Sequence, residues 1–116
     1  MKVNYIDNDS VKYLPLKVKE LLVEKSGIWI DNTNHKIGFA GIDTALILDL
    51  EKIKYFTLQN VLPAKGAGYA DLIVHLSTGN YLYVFIEDTY FFDQFAQQLE
   101  HMTKKQVEIP EAYYNC

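Results

Sequence analysis

Three histidines, His35, His75 and His101, are the first residues to ask for chemistry, since imidazole binds metals and moves protons. They fall in a turn, a strand and a helix. No two sit at ligand spacing and no cysteine is beside them, so the sequence assembles no metal site. Asp71 and His75 lie four apart on a strand and share a face, but roughly 13 Å separates them, too far for a direct acid–base pair. Gly66-Ala67-Gly68 lacks the Lys-Ser or Lys-Thr of a phosphate loop, and no helix follows it. No Gly-x-Ser-x-Gly occurs, and no Cys or Ser is flanked by a base. Asp49 and Glu51 can point the same way on a strand, but paired carboxylates at a turn are common surface features. These residues predict no catalytic site, no metal and no cofactor.

The basic residues carry a second candidate chemistry. All 11 are Lys, Arg is absent, and the net charge is −4. Without Arg, the residue that forks onto phosphate and stacks on bases, the sequence argues against nucleic-acid recognition. Lys17, Lys19, Lys25 and Lys36 form the candidate anionic-ligand or membrane-surface site. Lys17 and Lys19 share a face if their segment is a strand, and Lys36 then lies opposite. Glu20 and Glu24 dilute that patch, and the net charge opposes an anionic membrane. Solvated lysines are the better reading, and phospholipid binding the alternative.

The elements that must position these residues fit one domain over residues 1–105, followed by a tail over 106–116 that is either disordered or packed on the sheet. A chain of 116 residues, 49% hydrophobic and 22% charged, is too short for a second core. Its lone cysteine is the last residue, Cys116, so no internal disulfide forms. Asn8-Asp9-Ser10 spells a glycosylation sequon, but the polar stretch before it has no apolar signal region. No run approaches the ~20 apolar residues of a membrane span. These features predict a cytoplasmic location.

Residues 27–40 read as a hairpin, with Asp31 to Asn34 as turn formers. Residues 45–50 are an apolar run, 54–58 alternate, and 63–68 are a loop with one proline and two glycines. Residues 69–77 and 81–86 are strands around Thr78-Gly79-Asn80. Phe92, Phe95, Ala96, Leu99 and Met102 then recur at helical spacing, with Asp88 or Thr89 as the cap and Lys104 and Lys105 at the far end. Residues 16–25 stay open. Pro15, the Val18, Leu21, Leu22 face and Gly27 fit a helix; Leu16, Val18 and Leu22 fit a bulged strand.

The order of these elements resembles the bacterial pleckstrin-homology-like domains, including the GRAM type. The resemblance is carried by Gly27-Ile28-Trp29-Ile30-Asp31, by the stretch from Ile47 to Ile53, by the hairpin of residues 72–86, and by the single helix after it. It spans about residues 12–104, and its motifs are hydrophobic patterns rather than chemical signatures. It implies an α+β, mainly β fold: a strongly bent antiparallel sheet or partly open barrel capped by one C-terminal helix. It also implies a strand over residues 16–25 and a ligand that is a phosphoinositide, a peptide or another protein.

One feature points to a partner without help from the resemblance. A strand with one wet face alternates, and Tyr81-Leu82-Tyr83-Val84-Phe85-Ile86 does not. Ile73 interrupts the polar face of the preceding strand in the same way. A two-residue Gly79-Asn80 turn sets Leu76 beside Tyr83; a three-residue Thr78-Gly79-Asn80 loop sets it beside Leu82. In either register one face meets the core and the other needs a cover. That cover is the Tyr113-Tyr114 tail, a second copy of the chain, or a foreign protein. The expectation is a non-catalytic interaction module, binding a protein partner or itself as a homodimer, with Tyr81, Tyr83, Phe85 and Ile73 at the interface.

Overall fold

From Ile53 to Leu62 the chain alternates apolar and polar groups with β-branched and aromatic residues frequent among them, which suits a strand at the centre of a sheet. The computed structural model describes residues 2–5, 27–31, 33–40 and 45–115. Lys17, Lys19, Lys25, the strand-or-helix question over residues 16–25, the sequon and Cys116 lie outside them. Among the described residues the protein is α+β and mainly β, with one C-terminal α-helix. Its chain divides into two compact units, residues 1–52 and residues 53–116.

The first unit holds a four-stranded sheet in the order β1-β2-β3-β4. Strand β2 (Gly27–Asp31) and β3 (Lys36–Ala40) are the expected hairpin, with Ile28 opposite Phe39 and Ile30 opposite Ile37. Asp31 builds its turn. Its buried carboxylate accepts the backbone N–H groups of Thr33 (3.0 Å) and Asn34 (3.2 Å) and the Asn34 side-chain amide (3.0 Å). This is the local bonding by which Asp favours turns. Strand β4 (Ala45–Asp49) pairs antiparallel with β3 and ends in a 3-10 turn, Leu50–Lys52. Strand β1 (Lys2–Tyr5) adds to β2 in parallel, a pairing that hairpin signals do not announce.

The second unit is built on β5 (Ile53–Leu62), β6 (Tyr69–Leu76) and β7 (Tyr81–Glu87), an antiparallel meander. The tail joins this sheet. Strands β8 (Gln106–Glu108) and β9 (Tyr113–Tyr114) pair in parallel with the free side of β5. Asn115 secures the end: its N–H reaches Leu62 O (2.8 Å), its side-chain amide reaches Ala67 O (3.0 Å), and its carbonyl accepts from Lys65 N (3.3 Å). The sheet runs β7-β6-β5-β8, and neither sheet closes into a barrel.

Both registers read for the last hairpin are wrong. His75 faces Tyr81, Val74 faces Leu82 and Ile73 faces Tyr83. The loop is Ser77-Thr78-Gly79, because Gly79 N donates to Leu76 O (2.9 Å) and Leu76 N to Asn80 O (2.8 Å). Gly79 sits at φ 96°, where a side chain is strained, so this is a three-residue loop with its glycine at the left-handed position.

The helix also departs from local rules at its start. Neither Asp88 nor Thr89 caps it. Thr89 Oγ1 donates instead to Val61 O (2.9 Å), and Tyr90 takes a left-handed φ of 68° before a 3-10 turn, Phe91–Phe95. The α-helix proper, α1, is Ala96–Thr103. Asn60, buried on β5, holds this entry: Tyr90 N donates to its Oδ1 (2.7 Å), and its Nδ2 donates to Asp93 (3.1 Å). The apolar stripe packs as expected, with Phe92 and Leu99 buried, and Phe56, Leu58, Ala70, Leu72 and Val74 are buried in the same unit. Thr103 ends the stripe by donating its hydroxyl to Leu99 O (2.7 Å).

Truncating Leu99 to Ala is expected to cost about 2–5 kcal/mol in chemical denaturation, and a loss under ~1 kcal/mol would mean the helix does not close the core. Asn60→Leu should cost on the order of 2–4 kcal/mol, because it strands the part-buried Tyr90 N–H and the Asp93 carboxylate together; an unchanged midpoint would refute that role.

Candidate functional site

The register of β5, β6 and β7 sorts side chains onto two faces. Phe56, Leu58 and Asn60 share one face with Ala70, Leu72 and Val74, and Asn60 reaches the helix entry from there. Tyr55, Thr57 and Gln59 share the other with His75, Ile73 and Asp71, and on β7 Tyr81, Tyr83 and Ile86 stand opposite those three.

A bulge decides the membership of this second face. Ile73 pairs with Tyr83 and Leu72 with Phe85, which leaves Val84 as the extra residue. Alternation alone puts Tyr81, Tyr83 and Phe85 in one row. The bulge moves Phe85 opposite the fully buried Leu72, and Ile86 takes its place in the row. Tyr81, Tyr83 and Ile86 are 58%, 62% and 64% exposed. Ile73 is buried between its neighbours and is not itself a contact surface. A bulge has no reliable mark in composition, so nothing in the residues announces it.

The rings on this face touch one another. Tyr55 stacks on His75 with centroids 4.0 Å apart and planes 10° from parallel. His75 meets Tyr81 at 6.1 Å, and Tyr81 meets Tyr83 edge-on at 5.8 Å. Thr57 Oγ1 and His75 Nε2 share a hydrogen bond of 2.8 Å. At the bulge, Tyr83, Val84, Phe85 and Ile86 together with Asp71 line a notch of about 280 Å³. Burial pushes the Asp71 carboxyl above the usual carboxylate range.

The other candidates do not converge. His35 is an exposed turn residue at φ 56°, and His101 is exposed on α1. Among the described residues no three His, Cys, Asp or Glu groups come together as metal ligands. Lys36 pairs with Asp49, which Lys52 also approaches at 3.6 Å, and the Lys36 contact holds the Asp49 carboxyl below its ordinary value. Of the four lysines of the anionic-ligand reading, Lys36 is therefore engaged with an acid, and the other three lie outside the described residues. No helix among the described residues is long and apolar enough to cross a membrane.

The tail borders this face at its Asp71 end. Strand β9 lies across β5 from β6, on the side away from β7, and Tyr113 and Tyr114 are exposed. Burial first, then the neighbouring Tyr69 and Asp71, push the Tyr113 phenol upward.

The described residues form a mainly β fold of two open sheets, with an exposed tyrosine row on the edge strand β7. Residues 1–114 match the family model described as PM0294 C-terminal domain, and the chain belongs to that family. No solved structure matches it.

Burial lowers the His75 pKa below its ordinary 6.5, while the Glu108 charge pulls the other way. A depressed imidazole favours the neutral form in the folded state. Its contribution to stability is therefore complete above 6.5, falls as pH drops from 6.5 through the lowered value, and levels off below that. Proton NMR should give His75 a midpoint below the ordinary 6.5. A midpoint at or above that value would mean the ring cluster does not exclude water.

Proposed function

We propose that this chain is a non-catalytic interaction module that binds a protein partner or a second copy of itself through β7. The observation that carries this reading is the row Tyr81, Tyr83 and Ile86, more than half exposed along a strand that pairs only with β6 among the described residues. Such an edge offers unpaired backbone N–H and C=O groups, and proteins normally blunt it with Lys, Pro or a bulge. Strand β7 contains no Lys or Pro, and its bulge at Val84 leaves Tyr81 to Tyr83 in regular strand conformation. Tyr supplies contact area with few rotatable bonds and a polar tip that tolerates water, which is why it is enriched at interfaces.

The resemblance to pleckstrin-homology-like domains adds no support to this reading, which rests on the exposed row alone. The anionic-ligand reading is weaker. Its best-described lysine, Lys36, is already compensated by Asp49, and the chain carries a net charge of −4.

The test is a double variant, Tyr81→Ser with Tyr83→Ser. Light scattering on the eluting peak and affinity capture from the native host are run on the parent and the variant. The parent is expected to self-associate or to retain a host protein at micromolar concentration. The variant should weaken that by about tenfold or more, with an unchanged unfolding midpoint. A parent that is strictly monomeric and retains nothing, or a variant that binds equally well, would sink the reading. Salt-sensitive capture on anionic vesicles, lost when Lys17 and Lys19 become Glu, would favour the lysine site instead.

A further inference from the structure

We infer that the notch at the β7 bulge takes the Lys or Arg side chain of an extended partner segment laid along the β7 edge. This rests on the interaction reading above and names the chemistry of the partner.

The first argument is charge. In register, the face carries Gln106, Tyr55, His75 and Tyr81 in one row, Glu108, Thr57, Ile73 and Tyr83 in the next, and Gln59, Asp71 and Ile86 in a third. None of these positions is Lys, although the chain has 11. Two are acids, and Glu108 lies close enough to His75 to act on its titration. The face is therefore tyrosine-rich and negative, and its complement is a basic segment.

The second argument is the shape and lining of the notch. Val84, Phe85 and Ile86 supply apolar wall, Tyr83 supplies a ring, and Asp71 supplies one carboxylate. Lys and Arg have a matching division: an apolar stem that packs on hydrocarbon and a cationic head that seeks a carboxylate or a ring face. No cation among the described residues pairs with Asp71. Burial already penalises that carboxylate as an anion, and a cation seated beside it would relieve the penalty. A volume of about 280 Å³ has room for one long side chain but not for a folded element.

The third argument is the position of the notch. It is lined by four consecutive residues of an edge strand, Tyr83 to Ile86. A segment adding to that edge in strand conformation presents alternate side chains to the same face. One of them therefore falls beside the bulge while its backbone pairs with β7.

The test is a phage-displayed library of random heptapeptides selected on the full chain. The expected result is a set of strand-forming peptides with Lys or Arg at one fixed position. In synthetic copies, replacing that residue with norleucine should weaken binding about tenfold or more. Asp71→Asn should cost the same factor and erase the difference between the two peptides. The unfolding midpoint of that variant confirms the fold. Peptides that need Tyr81 and Tyr83 but carry no fixed basic residue, or that ignore Asp71→Asn, would overturn the notch and leave the interaction reading standing. A selection yielding no peptide that depends on Tyr81 and Tyr83 would overturn both.

Discussion

Asn60 is the side chain on which the second unit depends. It is buried on the central strand, and both ends of its amide are used. The carbonyl accepts from Tyr90 N, and the amide donates to Asp93. A buried amide left unbonded costs several kcal/mol in an apolar setting, so this geometry is strongly selected over near alternatives. It fixes where the chain leaves the sheet and turns into the 3-10 segment. Phe92 and Leu99 then follow at the spacing that buries them. Gly68 belongs to the same constraint. A Cβ there would lie 2.4 Å from Thr89 Oγ1 and 2.8 Å from both Pro63 Cδ and Val61 O. The Thr89 to Val61 hydrogen bond therefore forms only because residue 68 has no side chain.

These long-range bonds explain which parts of the fold were legible. Residues 27–40 announced themselves because Asp31 and Asn34 make their turn with local bonds that composition predicts. The helix was legible from its stripe, since burial of Phe92 and Leu99 needs only the right period. Its cap was not. Phe91 N and Asp93 N bond locally to Asp88 O and Tyr90 O, but Tyr90 N is satisfied from β5, about thirty residues away in sequence, and no local pattern records such a partner. The parallel strands β1, β8 and β9 were missed for a similar reason. They are short, and a strand of two to four residues is stabilised by the edge it joins rather than by its own composition.

The exposure of the proposed site was half legible. Tyr81 and Tyr83 stand exposed where alternation puts them. Phe85 does not, because one extra residue at Val84 shifts every side chain beyond it to the opposite face. Ile86 entered the exposed row by the same shift. His75, read only as too far from Asp71 for acid–base work, proved to be the centre of a ring cluster with Tyr55 and Tyr81. Those contacts run across strands, so their sequence separation hides them.

The carboxylates show how differently one chain can treat the same group. Asp31 is buried and bonded by its own turn. Asp49 is half-exposed and neutralised by Lys36, with Lys52 near. Asp71 is also partly buried, with neither a cation among the described residues nor a turn built around it, and burial pushes its carboxyl upward. An acid in that position works against stability at neutral pH: its raised pKa means the folded state loses ground as pH rises from the ordinary 3.8 through the raised value. A Leu or Val would sit better between Tyr83 and Ile86 if packing were the only demand. Asp71 stands instead among the residues lining an apolar notch at the β7 bulge, near Tyr83. Under the interaction role proposed above, that charge is stability given up for recognition.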